Sequence, residues 1–405
     1  MHSVELFAGA GGLALGAELV GFRPKLVVEW DRWACDTIRQ NATNAYPLVQ
    51  DWPVHEGDVR DVDWTQLAGD AIDVVTGGPP CQPFSMGGKA RNADDKRDMF
   101  PAAAEVIRTL RPRAFVLENV KGLTRSAFSN YFAYIQLRLS HPEIASRGDE
   151  TWLDHFRRLQ SEHTTVRHDL QYNVTTTLVN AADFGVPQQR HRVFIVGFRS
   201  DVEAEWSFPE ATHSREALLV DKWVTGNYWD RHEVAKRQRI ADTQLSPTRL
   251  RLALERGEIG AHRPWRTVRD AISDLPTPTR GGSKVHLNHF LQSGARSYPG
   301  HTGSPVDLPA KTLKAGDHGV PGGENMLRRP DGSIRYFSIR EAARLQTFPD
   351  RYEFHGSWTE AMRQLGNAVP VVLGQKVMGS VAEHLALADF RVLAAKQRPL
   401  KLISA

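Results

Sequence analysis

The sequence predicts a doubly wound α/β domain followed by a smaller, loop-rich domain. Short β-branched runs alternate with helical patterns as far as residue 198, which is typical of a mainly parallel sheet covered by helices on both faces. Between residues 200 and 336 the periodicity is poor, and Gly, Pro, His and basic residues are scattered. Helical patterns then return. We therefore expect residues 1–199, completed by 360–405, to form the first domain, and residues 200–359 to form the second.

The bulk composition is that of a globular chain with a mild preference for polyanionic partners. The chain has 405 residues, 24% of them charged, with a net charge of +4 and a pI near 9.0. No apolar run approaches about 18 residues and the N-terminus lacks a signal pattern, so we expect a cytoplasmic protein. Only two cysteines, Cys35 and Cys81, are present. They exclude a disulfide framework and give no metal-ligand spacing, so no metal is expected.

The first predicted strand, Val4–Phe7, is followed at once by the glycine-rich turn Ala8–Gly12 and a helical pattern. This order lets the backbone approach a nucleotide-like cofactor at a helix N-terminus. A second strand, Lys25–Asp31, delivers Glu29 about 20 residues past the glycines, the distance at which a carboxylate meets a ribose hydroxyl pair. Trp30 beside it is suited to packing against an adenine ring. An acidic loop end with an aromatic core residue is the alternative interpretation.

The loop Gly77–Ser85 places a cysteine, Cys81, among three prolines and two glycines. It follows a fourth predicted strand, Ala71–Val75, whereas a third strand edge, Glu56–Val59, carries Asp58 at its tip. Open α/β sheets bind ligands at the carboxyl ends of their strands, and prolines restrict the backbone of a loop. Taken alone, Cys81 is as compatible with a small buried hydrophobe as with a nucleophile.

Further along the first domain, a carboxylate and two arginines fall at strand ends. The strand Ala114–Leu117 ends in Glu118, and Arg190 and Arg192 lie at the entry to the strand Val193–Phe198. The other predicted elements are a helix near 99–110, a helical insertion at 125–165 without assignable chemistry, and a strand at 172–179.

The second domain carries its positive charge unevenly. Between Arg231 and Arg269 there are ten basic and four acidic residues. This stretch is interpreted either as a phosphate-contacting surface or as a solvated helix face. The segment Ala310–Gly319 is basic and glycine-bearing, which suits contact with a nucleic-acid backbone. Ser338 is then predicted to cap a helix that extends to Gln346.

Seven of these motifs, in this order, resemble those of the cytosine-C5 DNA methyltransferase family. They are FAGAGG and VVEWD near the N-terminus, PPCQPFS, ENV and QQRHR in the middle, and SIREAARLQTFPD and QLGNAVP near the C-terminus. The resemblance spans most of the chain outside about 200–335. It implies a class I S-adenosylmethionine-dependent methyltransferase sheet with a target-recognition domain. It further implies a sequence-specific bacterial DNA methyltransferase of the restriction-modification type, which flips its target base out of the duplex.

The same resemblance implies the catalytic residues. Cytosine C5 is a poor nucleophile, and addition of a thiolate at C6 activates it. The cysteine that acts as this nucleophile in the family corresponds to Cys81. The family's glutamate that holds N3 of the base corresponds to Glu118. Arg190 and Arg192 are expected near the flipped base and its phosphates.

The resemblance also implies a cofactor, S-adenosyl-L-methionine, and the residues that contact it. These are Phe7, Ala8, Gly9, Gly11, Gly12, Glu29, Trp30, Asp58, Pro80 and Asn367. Glu5 stands where many relatives have Asp. The expected partners are double-stranded DNA in the bacterial nucleoid and a cognate nuclease acting on the same site, with the enzyme a monomer on DNA.

Three alternatives follow from the same residues. A transfer-RNA cytosine-C5 methyltransferase shares the motifs, although the long loop-rich module of about 135 residues at about 200–335 favours reading a DNA site. A nicotinamide-dependent dehydrogenase explains the glycine turn and Glu29 but none of the later motifs. A non-catalytic DNA-binding homologue conflicts with the presence of both Cys81 and Glu118.

Overall fold

A computed structural model describes residues 1–80, 98–164, 169–240, 246–257, 259–299, 302–315 and 325–396. Its centre is a seven-stranded sheet whose strands lie in the order β3-β2-β1-β4-β5-β7-β6. The strands are β1 (His2–Leu6), β2 (Arg23–Glu29), β3 (Val54–Glu56), β4 (Val74–Gly77), β5 (Ala114–Val120), β6 (Tyr172–Asn180) and β7 (His191–Arg199). The helices of this part are α1 (Gly12–Glu18), α2 (Arg32–Thr43), α3 (Phe100–Leu110), α4 (Ser129–Ser140) and α5 (Trp152–Glu162).

Strands β1 to β5 are parallel, which confirms the predicted doubly wound domain. Strand β7 is antiparallel to both β5 and β6, because the short link after β6 turns the chain back without a crossover helix. The strand order reverses between β1 and β4. The turn after β1 and the segment after β4 therefore lie on either side of the point where such sheets bind ligands.

Helices cover both faces of the sheet. On one face α3, α4 and α5 bury a cluster that includes Ile107, Tyr134 and Leu159, so the insertion predicted at 125–165 completes the core on this side. On the other face α1 packs against a long C-terminal helix, α12 (Val371–Lys396). A Cβ on Gly16 would lie 2.5 Å from the backbone nitrogen of Gln375, so only glycine permits this approach of the two helices.

The remaining helices and strands follow β7 and precede α12 in the chain. They are β8 (His213–Ser214), α6 (Arg215–Trp223), α7 (Asn227–Arg231), α8 (Pro247–Glu255), β9 (Arg263–Pro264), α9 (Val268–Ile272), β10 (Ser304–Pro305), β11 (Met326–Arg328), β12 (Ile334–Tyr336), α10 (Ile339–Leu345) and α11 (Trp358–Asn367). Among the described residues, no helix is both long and apolar enough to cross a membrane.

One buried cluster joins distant parts of the chain. It contains Ala10, Ile38 and Trp52 together with Ile272, Leu345 and other residues up to position 371. Helix α10 therefore packs into the same core as the turn after β1 and helix α2. The predicted domain limits, 1–199 and 200–359, stay a prediction.

Several local predictions can be compared with the structure. Ser338 caps α10 through a reciprocal pair of hydrogen bonds with Glu341, as predicted. The third strand ends at Glu56, two residues before Asp58, because the Asp58 side chain instead caps a turn of 3-10 helix. The sequence patterns predict one last helix that begins around residues 366–370, whereas the structure has helix α11 before it. Helix α12 starts after Pro370, which lacks the amide hydrogen that would continue α11.

Candidate active site

The glycine turn after β1 leaves its backbone open toward the carboxyl edge of the sheet. Gly9 has a φ of 54° and Gly11 a φ of 82°, which is the left-handed region that favours glycine. Nothing lies within 4 Å of the place where a Cβ of Gly9 would be. A Cβ on Gly12, in contrast, would lie 2.2 Å from the carbonyl oxygen of Val369. The glycine turn thus packs closely against the start of α12 at Gly12, whereas space remains beside Gly9.

Glu29, at the end of β2, is positioned by backbone amides. Its Oε2 accepts a hydrogen bond from the Gly9 nitrogen at 2.7 Å, and its Oε1 accepts from Trp30 at 2.9 Å and from Asp31 at 2.8 Å. Burial raises the pKa of Glu29, and the hydrogen bonds from these amides oppose the rise. The indole of Trp30 is 73% exposed. An open glycine turn beside a fixed carboxylate and an exposed aromatic face fits a nucleoside-bearing cofactor.

The other predicted cofactor residues lie at the same edge or near it. Asp58 follows β3, and Arg60 binds its carboxylate, with 2.9 Å between Arg60 Nε and Asp58 Oδ1, which lowers the pKa of Asp58. Asn367 is exposed at the end of α11. Glu5 is buried instead, and its carboxylate accepts hydrogen bonds from the hydroxyls of Ser3 and Thr76.

Cys81 lies outside the described residues, but the residues next to that segment are held in place. The segment begins after Pro80, whose carbonyl accepts a hydrogen bond from the Met99 amide at 3.2 Å. The carbonyl of Pro79 accepts a hydrogen bond from the Asn119 side chain at 2.9 Å. Strands β4 and β5 thus fix the point at which the chain leaves for Cys81. The sequence interpretation did not single out Asn119, although it lies within the ENV motif.

Glu118 and Arg192 form a buried ion pair next to this point. Arg192 Nε lies 2.5 Å from Glu118 Oε1, and both side chains are about one-tenth exposed or less. The pairing of β5 with β7 sets Val120 opposite Arg192, which brings the two charges together. A Cβ on Gly78 would lie 3.3 Å from Glu118 Oε2. The carboxylate therefore faces the start of the Cys81 segment.

Arg190 occupies a different environment from Arg192. Its side chain is fully buried, and its guanidinium donates to the carbonyls of Leu313 at 3.1 Å and Gly366 at 2.6 Å. Gln188 also binds Leu313, because its Oε1 accepts a hydrogen bond from the Leu313 amide at 2.9 Å. Its Nε2 donates a hydrogen bond to Gln346 Oε1 at 3.2 Å. Arg190 thus ties together three segments of the chain. Gln188 and Gln346 lie within the QQRHR and SIREAARLQTFPD motifs, but the sequence interpretation did not single them out, because their partners are distant in the chain.

Two arginines of the basic stretch from Arg231 to Arg269 form ion pairs with aspartates of the protein. Arg231 Nη1 lies 2.6 Å from Asp221 Oδ2, and Arg269 Nε lies 2.7 Å from Asp307 Oδ1. These two arginines are therefore paired within the protein, and the phosphate-contacting interpretation of the stretch stays a prediction. The charge count missed their partners because both aspartates lie outside the stretch.

Comparisons with known proteins agree with this arrangement. The chain matches the family model described as C-5 cytosine-specific DNA methylase over residues 1–141 and 157–383. It is 32% identical to the type II methyltransferase M.PspPI of Psychrobacter, over 94% of this chain and 79% of the relative. It is 29% identical to the type II methyltransferase M.NgoMIV of Neisseria gonorrhoeae, over 95% of this chain and 97% of the relative.

Solved structures show the same fold. The S. pombe Dnmt2 methyltransferase aligns with a TM-score of 0.56 at 16% identity, covering 96% of this chain and 100% of that one. The Entamoeba histolytica methyltransferase EhMeth aligns with a TM-score of 0.53 at 13% identity, covering 95% and 98%. These likenesses confirm the predicted methyltransferase fold.

Proposed function

The chain belongs to the C-5 cytosine-specific DNA methylase family, and from this premise we propose how its residues methylate a cytosine in DNA. The family makes it a sequence-specific DNA (cytosine-5-)-methyltransferase with S-adenosylmethionine as the methyl donor. The observation that carries our assignment of residues is the buried Glu118–Arg192 pair, which faces the anchored start of the Cys81 segment. The dehydrogenase alternative has no support from this family.

We propose that Cys81 is the nucleophile. Its thiolate forms a bond to C6 of a cytosine that has been rotated out of the duplex. The electron pair of the C5–C6 double bond then becomes available at C5, which attacks the methyl group of the donor. The bond between this methyl group and the donor sulfur breaks, and the sulfur leaves as the neutral thioether of S-adenosylhomocysteine. Loss of the C5 proton to water afterwards restores the double bond and breaks the C6–Sγ bond, releasing the thiolate. The anchoring of Pro79 and Pro80 supports this role, because it fixes where the nucleophile's segment begins.

We propose that Glu118 holds a proton at N3 of the cytosine while Cys81 adds. Thiolate addition places negative charge on the ring, and a proton shared with N3 stabilises that charge. Arg192 orients the carboxylate and supplies a positive charge at 2.5 Å. Arg190 is proposed as a positioning residue, because both of its described guanidinium bonds go to backbone carbonyls of the protein.

We propose that the cofactor lies across the glycine turn and the end of β2. Phe7, Ala8, Gly9, Gly11 and Gly12 would give it backbone contacts. The contacts proposed for side chains or neighbouring loops are with Glu29, Trp30, Asp58, Pro80 and Asn367. When bound, S-adenosylmethionine supplies a methyl group on a positively charged sulfur. The open space at Gly9 and the exposed Trp30 support this placement.

Trp30→Ala is expected to weaken S-adenosylmethionine binding by about 5- to 150-fold, because stacking of a base on an aromatic side chain contributes about 1–3 kcal/mol. Its melting temperature should match the wild type, since the ring is 73% exposed and adds little to the core. Calorimetric titration with S-adenosylmethionine measures the affinity. Phe390→Ala, which removes a 68% exposed ring from α12, is the matched control and should bind normally. Equal affinity of the two variants would show that Trp30 does not contact the adenine.

The partners are proposed from the relatives. Both relatives described above are named type II methyltransferases, so we propose that this enzyme modifies double-stranded DNA and that a cognate nuclease cuts the same site. We propose that it acts as a monomer on DNA, since one chain supplies both the glycine turn and Glu118.

The wild-type protein is expected to transfer a radiolabelled methyl group from S-adenosylmethionine to duplex DNA. Bisulfite sequencing of DNA from cells that express the protein should show one short sequence protected at a single cytosine. Transfer RNA is the control substrate and should stay unlabelled. Labelling of transfer RNA without labelling of DNA would decide for the transfer-RNA methyltransferase.

A further inference from the structure

Residues 142–156 form a segment that the family model leaves unmatched between its two ranges. The structure nevertheless packs this segment into the core on the face of the sheet that α3, α4 and α5 cover. Ile144 belongs to the buried cluster there, and His155 is fully buried. The segment therefore contributes core contacts that the family pattern does not include.

Hydrogen bonds fix the segment against helix α4. Arg138 Nη1 donates to the Tyr134 hydroxyl at 2.8 Å, and this hydroxyl lies 3.0 Å from His155 Nδ1. His155 Nε2 lies 2.7 Å from the carbonyl oxygen of Ile144, which can only accept. His155 thus donates from Nε2 and accepts at Nδ1 from Tyr134, which is the arrangement of a neutral ring. Burial lowers the pKa of His155, which keeps the ring neutral at pH 7.

Trp152 of the same segment packs against Tyr131 on α4. The two rings meet edge to face, with their centroids 5.2 Å apart and an angle of 87° between their planes. The ring of Tyr134 lies 5.8 Å from that of Trp152 on the same helix. Edge-to-face packing is a preferred arrangement of aromatic rings. Because Tyr131 is buried, this packing fixes the direction of its hydroxyl group.

The hydroxyl of Tyr131 donates a hydrogen bond to Asp98 Oδ2. Asp98 is buried and directly follows the segment that contains Cys81. The next residue, Met99, donates its amide to the Pro80 carbonyl at 3.2 Å. The residues on both sides of the Cys81 segment therefore lie together, and Tyr131 binds one of them from α4.

We propose that Tyr131 is a positioning residue for methyl transfer, which acts through Asp98 on the placement of Cys81. This inference rests on the proposed function and deepens it. The Tyr131 hydroxyl holds Asp98, which fixes the chain directly after the nucleophile's segment, and Trp152 keeps the Tyr131 ring in place. The rate of a reaction by a positioned group depends steeply on geometry, since a displacement of about 1 Å costs about 10²-fold.

Tyr131→Phe removes the hydroxyl and keeps the ring that packs against Trp152. It should slow methyl transfer to duplex DNA in a single turnover by about 10-fold, the order of one hydrogen bond to a charged group. Affinities for S-adenosylmethionine and for DNA should not change. Tyr172→Phe is the matched control, because Tyr172 is buried in the same cluster and its hydroxyl donates to the Pro112 carbonyl at 2.7 Å, before the start of β5. It should transfer methyl at the wild-type rate, and an equal rate for Tyr131→Phe would overturn the proposal.

A second comparison tests whether Tyr131 acts through Asp98. Asp98→Ala should slow methyl transfer at least as much as Tyr131→Phe. The double variant should be no slower than Asp98→Ala alone, because both changes remove the same hydrogen bond. Losses that multiply in the double variant would show that the two residues act independently, which contradicts the proposal.

The melting temperature is the check on folding, and Tyr131→Phe and Tyr172→Phe should melt close together because each loses one buried hydrogen bond. Should Tyr131→Phe melt far below the control, Trp152→Leu decides, because it leaves the Tyr131 hydroxyl in the chain but removes the ring that directs it. Trp152→Leu must then slow methyl transfer, and a wild-type rate overturns the proposal. A wild-type protein that labels no DNA contradicts the proposed function instead, so the two failures are distinguishable.

Discussion

The Cys81→Ser variant is expected to lose methyl transfer to duplex DNA by at least about 10³-fold. A serine hydroxyl is far less acidic than a thiol and does not supply the nucleophile that C6 requires. Transfer of a radiolabelled methyl group to DNA measures the loss. Affinity for S-adenosylmethionine should stay at the wild-type value, because none of the cofactor contacts that we propose is made by the Cys81 side chain.

Cys35 provides a matched control within the same chain. Its thiol is fully buried on α2 and donates to the Glu29 carbonyl at 3.3 Å. Burial raises the pKa of Cys35 to about 12, so this thiol stays protonated and inert at neutral pH. Cys35→Ser should therefore retain most of the activity. Equal activity of the Cys81→Ser variant and the wild type would exclude covalent catalysis by Cys81.

The covalent step can be observed directly with DNA that contains 5-fluorocytosine. The fluorine at C5 is not lost as a proton is, so the bond between Cys81 and C6 persists. A denaturing gel should show a shifted band for the wild type and for Cys35→Ser, but not for Cys81→Ser.

The second large effect is expected for Glu118→Gln, which should lower kcat by about 10²- to 10⁴-fold, the range of general acid catalysis. An amide cannot hold and return the proton at N3. Single-turnover labelling of DNA at saturating cofactor measures the chemical step. Glu105→Gln on the outside of α3, where the carboxylate pairs with Arg108, is the control and should keep full activity.

Glu118→Gln also has an expected cost in stability. Removing the carboxylate leaves the buried Arg192 without its counter-charge, and breaking a buried pair in this way costs about 3–5 kcal/mol. The double variant Glu118→Gln/Arg192→Met separates the two effects, because it removes the uncompensated charge. It should regain stability while staying inactive. Recovery of methyl transfer together with stability would show that Glu118 has only a structural role.

Local sequence was sufficient to predict those structural features that depend on neighbouring residues. The Ser338 cap is one example, since the residue that completes it, Glu341, is three positions away. The clustering of Gly9, Glu29 and Glu118 at one edge is another, because parallel strands all deliver their carboxyl ends to the same side of a sheet. Family resemblance then supplied the chemistry that these positions carry.

The sequence by itself therefore determined the α/β fold and the edge of the sheet at which Gly9, Glu29 and Glu118 lie. Tertiary structure alone decided which of two similar arginines faces Glu118. Arg192 reaches it through the pairing of β5 with β7, whereas Arg190 binds the carbonyl of Gly366, a residue 176 positions away. It likewise decided that Arg269 pairs with Asp307, a residue 38 positions away. The physical reason is that a charged side chain pairs with an opposite charge that is close in space, and only packing brings residues so distant in the chain together.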